Sequence, residues 1–131
     1  MYTPGTNLFL NLFGDKETVS FAAGQTVCRT GDSGETMYVV MEGETEIVDG
    51  PTILEVAGPG SIVGELALID DEPRSATVVA KTDCRLVPVD RKRFQYMTQE
   101  TPFFALAVMK VLADRLRAKN VRNRYNVESR G

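Results

Sequence analysis

Histidine is absent from the 131 residues, and that gap removes the commonest metal ligand, the usual general base and the side chain that titrates near neutral pH. No Ser–His or Cys–His nucleophile can be assembled, and no glycine-rich loop closing on a lysine is present to grip phosphates. The chain therefore reads as a non-enzyme. Cysteine is scarce: Cys28 and Cys84 stand far apart in strand-like contexts and read as reduced core thiols. Long apolar runs are missing as well. The longest, residues 103–109, is seven residues, against about 20 for a bilayer-crossing helix. Near the start, Leu8-Phe9-Leu10 is cut short by Asn11 and has no basic opening. Neither a membrane span nor a signal peptide is predicted, and cytoplasmic location is expected.

What remains is room for one domain over 1–131, with an ordinary 43% of apolar residues. The net charge of −3 hides an asymmetry: residues 1–109 carry 8 basic and 16 acidic side chains, residues 110–131 carry 7 and 2. A basic end can address nucleic acid, yet cations in the last turns of a helix are favoured by its dipole alone. The dozen residues after Lys119 are too few for a helix-turn-helix. DNA binding by this chain alone is not expected.

Between residues 19 and 89 the pattern is one of short β-rich runs punctuated by turn residues, which predicts an antiparallel roll. Strands are predicted at 19–21, 26–29, 37–41, 45–49, 52–56, 61–63, 75–81 and 84–89, separated by Ala23-Gly24, residues 31–34, Glu42-Gly43, residues 49–51 and residues 58–60. Ahead of them lies an amphipathic or irregular lead-in whose Leu8, Leu10, Leu12 and Phe13 are expected to pack on the roll. Behind them the period changes. Asp90 is suited to cap one helix, and Thr101-Pro102 opens a second, with Ala105, Val108, Met109, Leu112 and Leu116 recurring at helical spacing and Phe104 and Val111 widening the stripe. That stripe must be buried, on the roll or against the same helix of a second copy. Residues 121–131 hold little apolar content and are expected to fray, so the helices are placed at about 90–122.

The densest chemistry lies in residues 64–78. Glu65 offers two acceptor oxygens suited to a ribose hydroxyl, and Arg74 offers five N–H donors in a rigid fork that matches two phosphate oxygens. Leu66, Ala67 and Leu68, just after Gly64, can form a short helical turn with free backbone N–H groups, and Ser75 and Ala76 are small enough for a ligand to lie against the backbone. One cation among Glu65, Asp70, Asp71 and Glu72 is an anion site only if geometry selects: Arg74 desolvated, the other three carboxylates facing water. Those three acids read as a solvated turn, since calcium-loop spacing is missing and nothing nearby completes a six-oxygen shell. No metal is expected.

Gly64, Glu65, Leu66, Ala67, Leu68, Pro73, Arg74, Ser75, Ala76, Thr77 and Val78 together resemble the phosphate-binding cassette of the cyclic nucleotide-binding domain, found in protein kinase A regulatory subunits, cyclic-nucleotide-gated channels and the bacterial catabolite activator. The departure is Val63, where many members carry Phe, read here as a packing change. The resemblance runs from about residue 9 to residue 120. It implies a mainly β fold, an eight-stranded antiparallel jelly roll at about 15–89 followed by C-terminal α-helices, with cyclic AMP or cyclic GMP as ligand and no catalytic cofactor. It also implies duties: Glu65 with the Gly64 backbone on the ribose 2′-hydroxyl, and Arg74 on the cyclic phosphate with the backbone N–H groups of Ala67 and Ser75. Leu66 and Ala76 belong to the same pocket, and Lys119 and Asn120 fall where the catabolite activator contacts the base, though with different residue types. In kinase relatives Thr at the Ser75 position goes with cyclic GMP and Ala with cyclic AMP, while bacterial relatives with Ser use cyclic AMP. The residue does not decide, and the reading leans to cyclic AMP.

No kinase, channel or DNA-reading segment accompanies these residues. The expectation is a signalling receptor that swings the helices after Asp90 and passes the change to an effector protein or an attached domain, with a homodimer through the C-terminal helix as a further partner. A domain cut from a longer channel or regulator would look the same. The alternative is a scaffold or interaction module of this fold that binds no nucleotide.

Overall fold

Strands of two to seven residues cannot bury an apolar face singly, so each must pair, and here every pairing is antiparallel. The computed structural model describes residues 7–70 and 72–130, with side chains as far as Val121. Eight strands follow one another as β1 (Val19–Phe21), β2 (Thr26–Cys28), β3 (Thr36–Glu42), β4 (Thr45–Asp49), β5 (Thr52–Ala57), β6 (Ile62–Val63), β7 (Thr77–Ala80) and β8 (Cys84–Asp90). They form two four-stranded sheets, ordered β1-β8-β3-β6 and β2-β7-β4-β5. Sequence neighbours mostly lie in different sheets or positions, which is the interleaving of a jelly roll rather than of a simple meander. The mainly β fold with C-terminal helices agrees with the sequence reading.

The core forms where the two sheets' inward residues meet. Val40, Ala80, Cys84 and Leu86 make one cluster with Phe21, Val27 and Tyr38 against it; Ala57, Val63 and Val78 make another, joined by Val27, Cys28, Tyr38 and Ile47. Tyr38 serves both, and its ring meets Phe21 edge-on at 6.1 Å, an arrangement that the ring quadrupoles favour. Thr45 is fully buried, and its hydroxyl donates to the Ala57 carbonyl at 3.1 Å, so the polar atom costs little.

Helix α1 (Leu8–Phe13) is capped by Asn7, whose Oδ1 accepts from the backbone N–H groups of Phe9 and Leu10. It buries Phe9 and Phe13, while Leu8, Leu10 and Leu12 stay half-buried. Phe13 is thus buried as expected, and Phe9, which the sequence reading passed over, lies four residues before it on the same helix face. Helix α2 (Leu66–Asp70) is a single turn after β6, and α3 (Arg91–Glu100) starts where Asp90 Oδ1 accepts from the Arg93 N–H at 2.8 Å.

The chain divides into two compact units, Met1–Tyr96 and Met97–Gly131. The second holds α4 (Pro102–Arg130), opened by Pro102 as expected and continuing well past the predicted end. Apolar content does not decide where a helix backbone stops; Arg and Glu are good helix formers, and Arg124, Glu128 and Arg130 fall in the added stretch, which holds neither Gly nor Pro. The apolar stripe also splits. Phe104 and Val108 are buried, whereas Met109 and Leu116 are more than half exposed, as are Phe103 and Leu106. A turn of about 100° per residue carries Met109 and Leu116 round to the side of Phe103 and Leu106.

Candidate functional site

The turn from β6 through α2 to β7 places a buried acid and a buried base on either side of one short helix. Glu65 retains 3% of its exposure and Arg74 retains 9%. Asp70 and Glu72 face water, and Asp70 Oδ1 accepts from the Glu72 N–H at 3.1 Å; Asp71 lies outside the described residues. Among the described residues no cluster of acids or thiols could hold a metal ion.

The position of Arg74 is fixed twice over. Its backbone is clipped to the β2–β3 loop, where its N–H donates to the Asp32 carbonyl and its carbonyl accepts from the Gly31 N–H, both at 2.8 Å. Its guanidinium then reaches inward, Nη1 donating to the Gly64 carbonyl at 3.0 Å and Nη2 to the Thr36 carbonyl at 2.7 Å. These bonds use two of the five donors and leave the planar fork desolvated, the state in which a charge-assisted bond to an anion is strongest. Two glycines make room for it. A Cβ on Gly64 would run into Arg74 Nη1, and a Cβ on Gly34 would overlap Nε and Cζ. Gly64 also sits at φ +78°, a conformation that costs other residues roughly 1–2 kcal/mol.

Around this pair, Ala67 and Leu68 are buried while Leu66 is 41% exposed. Ser75 is exposed and Ala76 half-buried. Gly64, Glu65, Leu66, Ala67, Arg74, Ser75 and Ala76 thus belong to one turn of the first unit. Lys119 and Asn120 are exposed on α4 of the second, and their role stays with the proposal below.

A match to the cyclic nucleotide-binding domain model covers residues 18–101, which includes the roll and the whole turn. The chain belongs to the cyclic nucleotide-binding domain family. It is similar to a cyclic nucleotide-gated potassium channel of Mesorhizobium japonicum, 39% identical over 93 residues, which cover 71% of this chain and 26% of the channel. It is also similar to a CRP-like cAMP-activated global transcriptional regulator of Mycobacterium tuberculosis, 31% identical over 109 residues, which cover 79% of this chain and 49% of the regulator. Among solved structures, the Thermus thermophilus catabolite activator protein superposes with a TM-score of 0.72 at 27% identity, over 81% of this chain and 52% of that one. The chain thus spans about a quarter of the channel and about half of the regulator.

Three contributors to this cyclic nucleotide-binding domain escaped the sequence reading. Gly34 looked like any turn glycine, Thr36 acts through its carbonyl, and Cys28 seemed to be a plain core thiol. In the structure Cys28 is only half-buried. Burial pushes its thiol above the ordinary value; Arg74 and a hydrogen bond with the Val78 backbone pull it down, and Glu65 and Asp32 add to the rise. The folded state holds this proton more tightly than the unfolded chain does. Its contribution to stability is therefore complete below the unfolded thiol's pKa and is lost as pH climbs through the raised folded value. Urea midpoints measured from about pH 7 to 10.5 should fall less steeply on the alkaline side for Cys28→Val than for the wild type; parallel curves would refute the coupling.

Proposed function

We propose that this domain is a cyclic nucleotide receptor, selective for cyclic AMP over cyclic GMP, that couples binding to movement of its C-terminal helices. The observation that carries the reading is the joint burial of Glu65 and Arg74 around a one-turn helix. Withdrawing each charge from water costs several kcal/mol, which a cyclic phosphate diester on the guanidinium and a ribose hydroxyl on the carboxylate would offset. In this reading Glu65 and the Gly64 backbone hold the 2′-hydroxyl, Arg74 and the N–H groups of Ala67 and Ser75 hold the phosphate, Leu66 and Ala76 line the pocket, and Lys119 and Asn120 meet the base. The cAMP-activated regulator among the relatives supports the choice of base.

Binding moves helices only as far as one arrangement binds better than the other, so the receptor is a two-state device after Asp90. Its output passes to an effector chain or an attached domain. The exposed row Phe103, Leu106, Met109 and Leu116 on α4 favours a second copy as one such partner, and sedimentation of the chain with and without nucleotide reads that directly. Calorimetric titration with both nucleotides tests the whole reading. Saturable heat with the adenine form at lower concentration than the guanine form is the expected result; no heat up to millimolar ligand would replace it with the scaffold reading. Recovery of the nucleotide intact after incubation is expected of a receptor, and its hydrolysis would make the protein an enzyme.

A further inference from the structure

The first residue of α3 is tied to the helix of the binding turn. Arg91 Nη1 donates to the Leu68 carbonyl at 3.0 Å, and Nη2 makes a longer contact with the Ala67 carbonyl at 3.4 Å. A five-residue helix such as α2 leaves its last carbonyls without intrahelical donors, and a planar fork suits two of them at the negative end of the helix. For α3 itself the residue is badly chosen. Arg91, Lys92 and Arg93 bring three cations to a first turn that has no acid, the end of a helix that disfavours positive charge. The cation at position 91 is explained by α2.

The same residue is held on its other side. The Arg91 N–H donates to the Glu35 carbonyl at 3.1 Å, and the next carbonyl, that of Thr36, accepts Arg74 Nη2 at 2.7 Å. Thr36 is also the ladder partner of Asp90. A closed circuit results: Arg74 to the Gly64 carbonyl, along Glu65 and α2 to Arg91, through Glu35 to Thr36, and back to Arg74. A group that bonds to Arg74, Glu65 or the α2 backbone joins the circuit that Arg91 closes, and Arg91 opens α3.

We propose that Arg91 is the positioning residue that transmits occupancy of the Glu65–Arg74 pocket to the start of α3. It touches no ligand and acts through the α2 carbonyls. The proposal rests on the receptor reading above, so the wild type is titrated with cyclic AMP first, and backbone hydrogen exchange of residues 66–70 and 92–96 is followed with and without the nucleotide. Arg91→Met keeps the stem and removes the donors. Its affinity is expected within about tenfold of the wild type, while the ligand-induced change in exchange at residues 92–96 falls to a third or less. Arg91→Lys, with a single point donor, should recover part of that response. Exchange in β3 and β8 reports whether the roll is intact. If Arg91→Met does not keep the roll, Arg91→Lys decides, a response cut by half supporting the proposal and a full one overturning it. Normal binding by Arg91→Met with an undiminished response at 92–96 would overturn the proposal and leave the receptor standing. A wild type that gives no heat would overturn both.

Discussion

Arg74→Ala is expected to weaken cyclic nucleotide binding by about 30-fold to several thousand-fold, the range that follows from about 2–5 kcal/mol for truncating one partner of a buried, hydrogen-bonded charge pair. The side chain is already desolvated and aimed before any ligand arrives, because the Asp32 and Gly31 backbone clips fix its Cα and the Gly64 and Thr36 carbonyls fix its head. Little ordering is left to be done on binding, so most of the interaction reaches the affinity. The same substitution strips two carbonyls of their donor, and a buried polar group left unsatisfied costs about 1–3 kcal/mol. A lower unfolding midpoint should accompany the affinity loss. Arg74→Lys separates the effects, since the ammonium keeps the charge but cannot bridge the Gly64 and Thr36 carbonyls as a planar fork does; it should bind between the two. Calorimetry below the unfolding midpoint of each variant gives the answer. An unchanged dissociation constant in Arg74→Ala would mean that the phosphate is held elsewhere, and the receptor reading would lose its anion site.

How much of this could be read from the chain depends on how local the cause is. Strands such as β1 and β4 were legible to the residue because turn chemistry brackets them, Asp49-Gly50-Pro51 closing β4. β7 starts at Thr77, two residues later than predicted, and just ahead of it the Arg74 backbone is engaged by Gly31 and Asp32, a non-local pairing that no pattern reveals. Glu65 and Arg74 were singled out by residue type and spacing. The reading also required a desolvated Arg74, but only on the premise of an anion site, since residue type alone argues against burying charged side chains this far. The split stripe of α4 and its length were misjudged for one reason: apolar count was used where rotation about the helix and backbone propensity decide. Arg91 carried no signal at all, because its partners are main-chain carbonyls and a carbonyl has no sequence.

Gly34 is the sharpest case of a site residue hidden by distance along the chain, and it yields the second large effect. Its position carries no left-handed strain, for no positive φ is recorded there, yet an added Cβ would overlap Arg74 Nε and Cζ. Gly34→Ala must therefore push the guanidinium off the Gly64 and Thr36 carbonyls, and cyclic nucleotide affinity is expected to fall by about tenfold to several hundred-fold, up to most of the Arg74→Ala loss. Gly64→Ala should cause a similar affinity loss through Nη1, with about 1–2 kcal/mol of additional destabilisation because φ is +78° there. The decisive measurement is the double variant. If Gly34 matters only because it gives the guanidinium room, Gly34→Ala should cost nothing further once Arg74 has become alanine. The two changes will then be strongly non-additive, as residues in direct contact are. Additive losses across that cycle would mean that residue 34 acts by some route other than the arginine, and the account of how the binding turn is preorganised would fail with it.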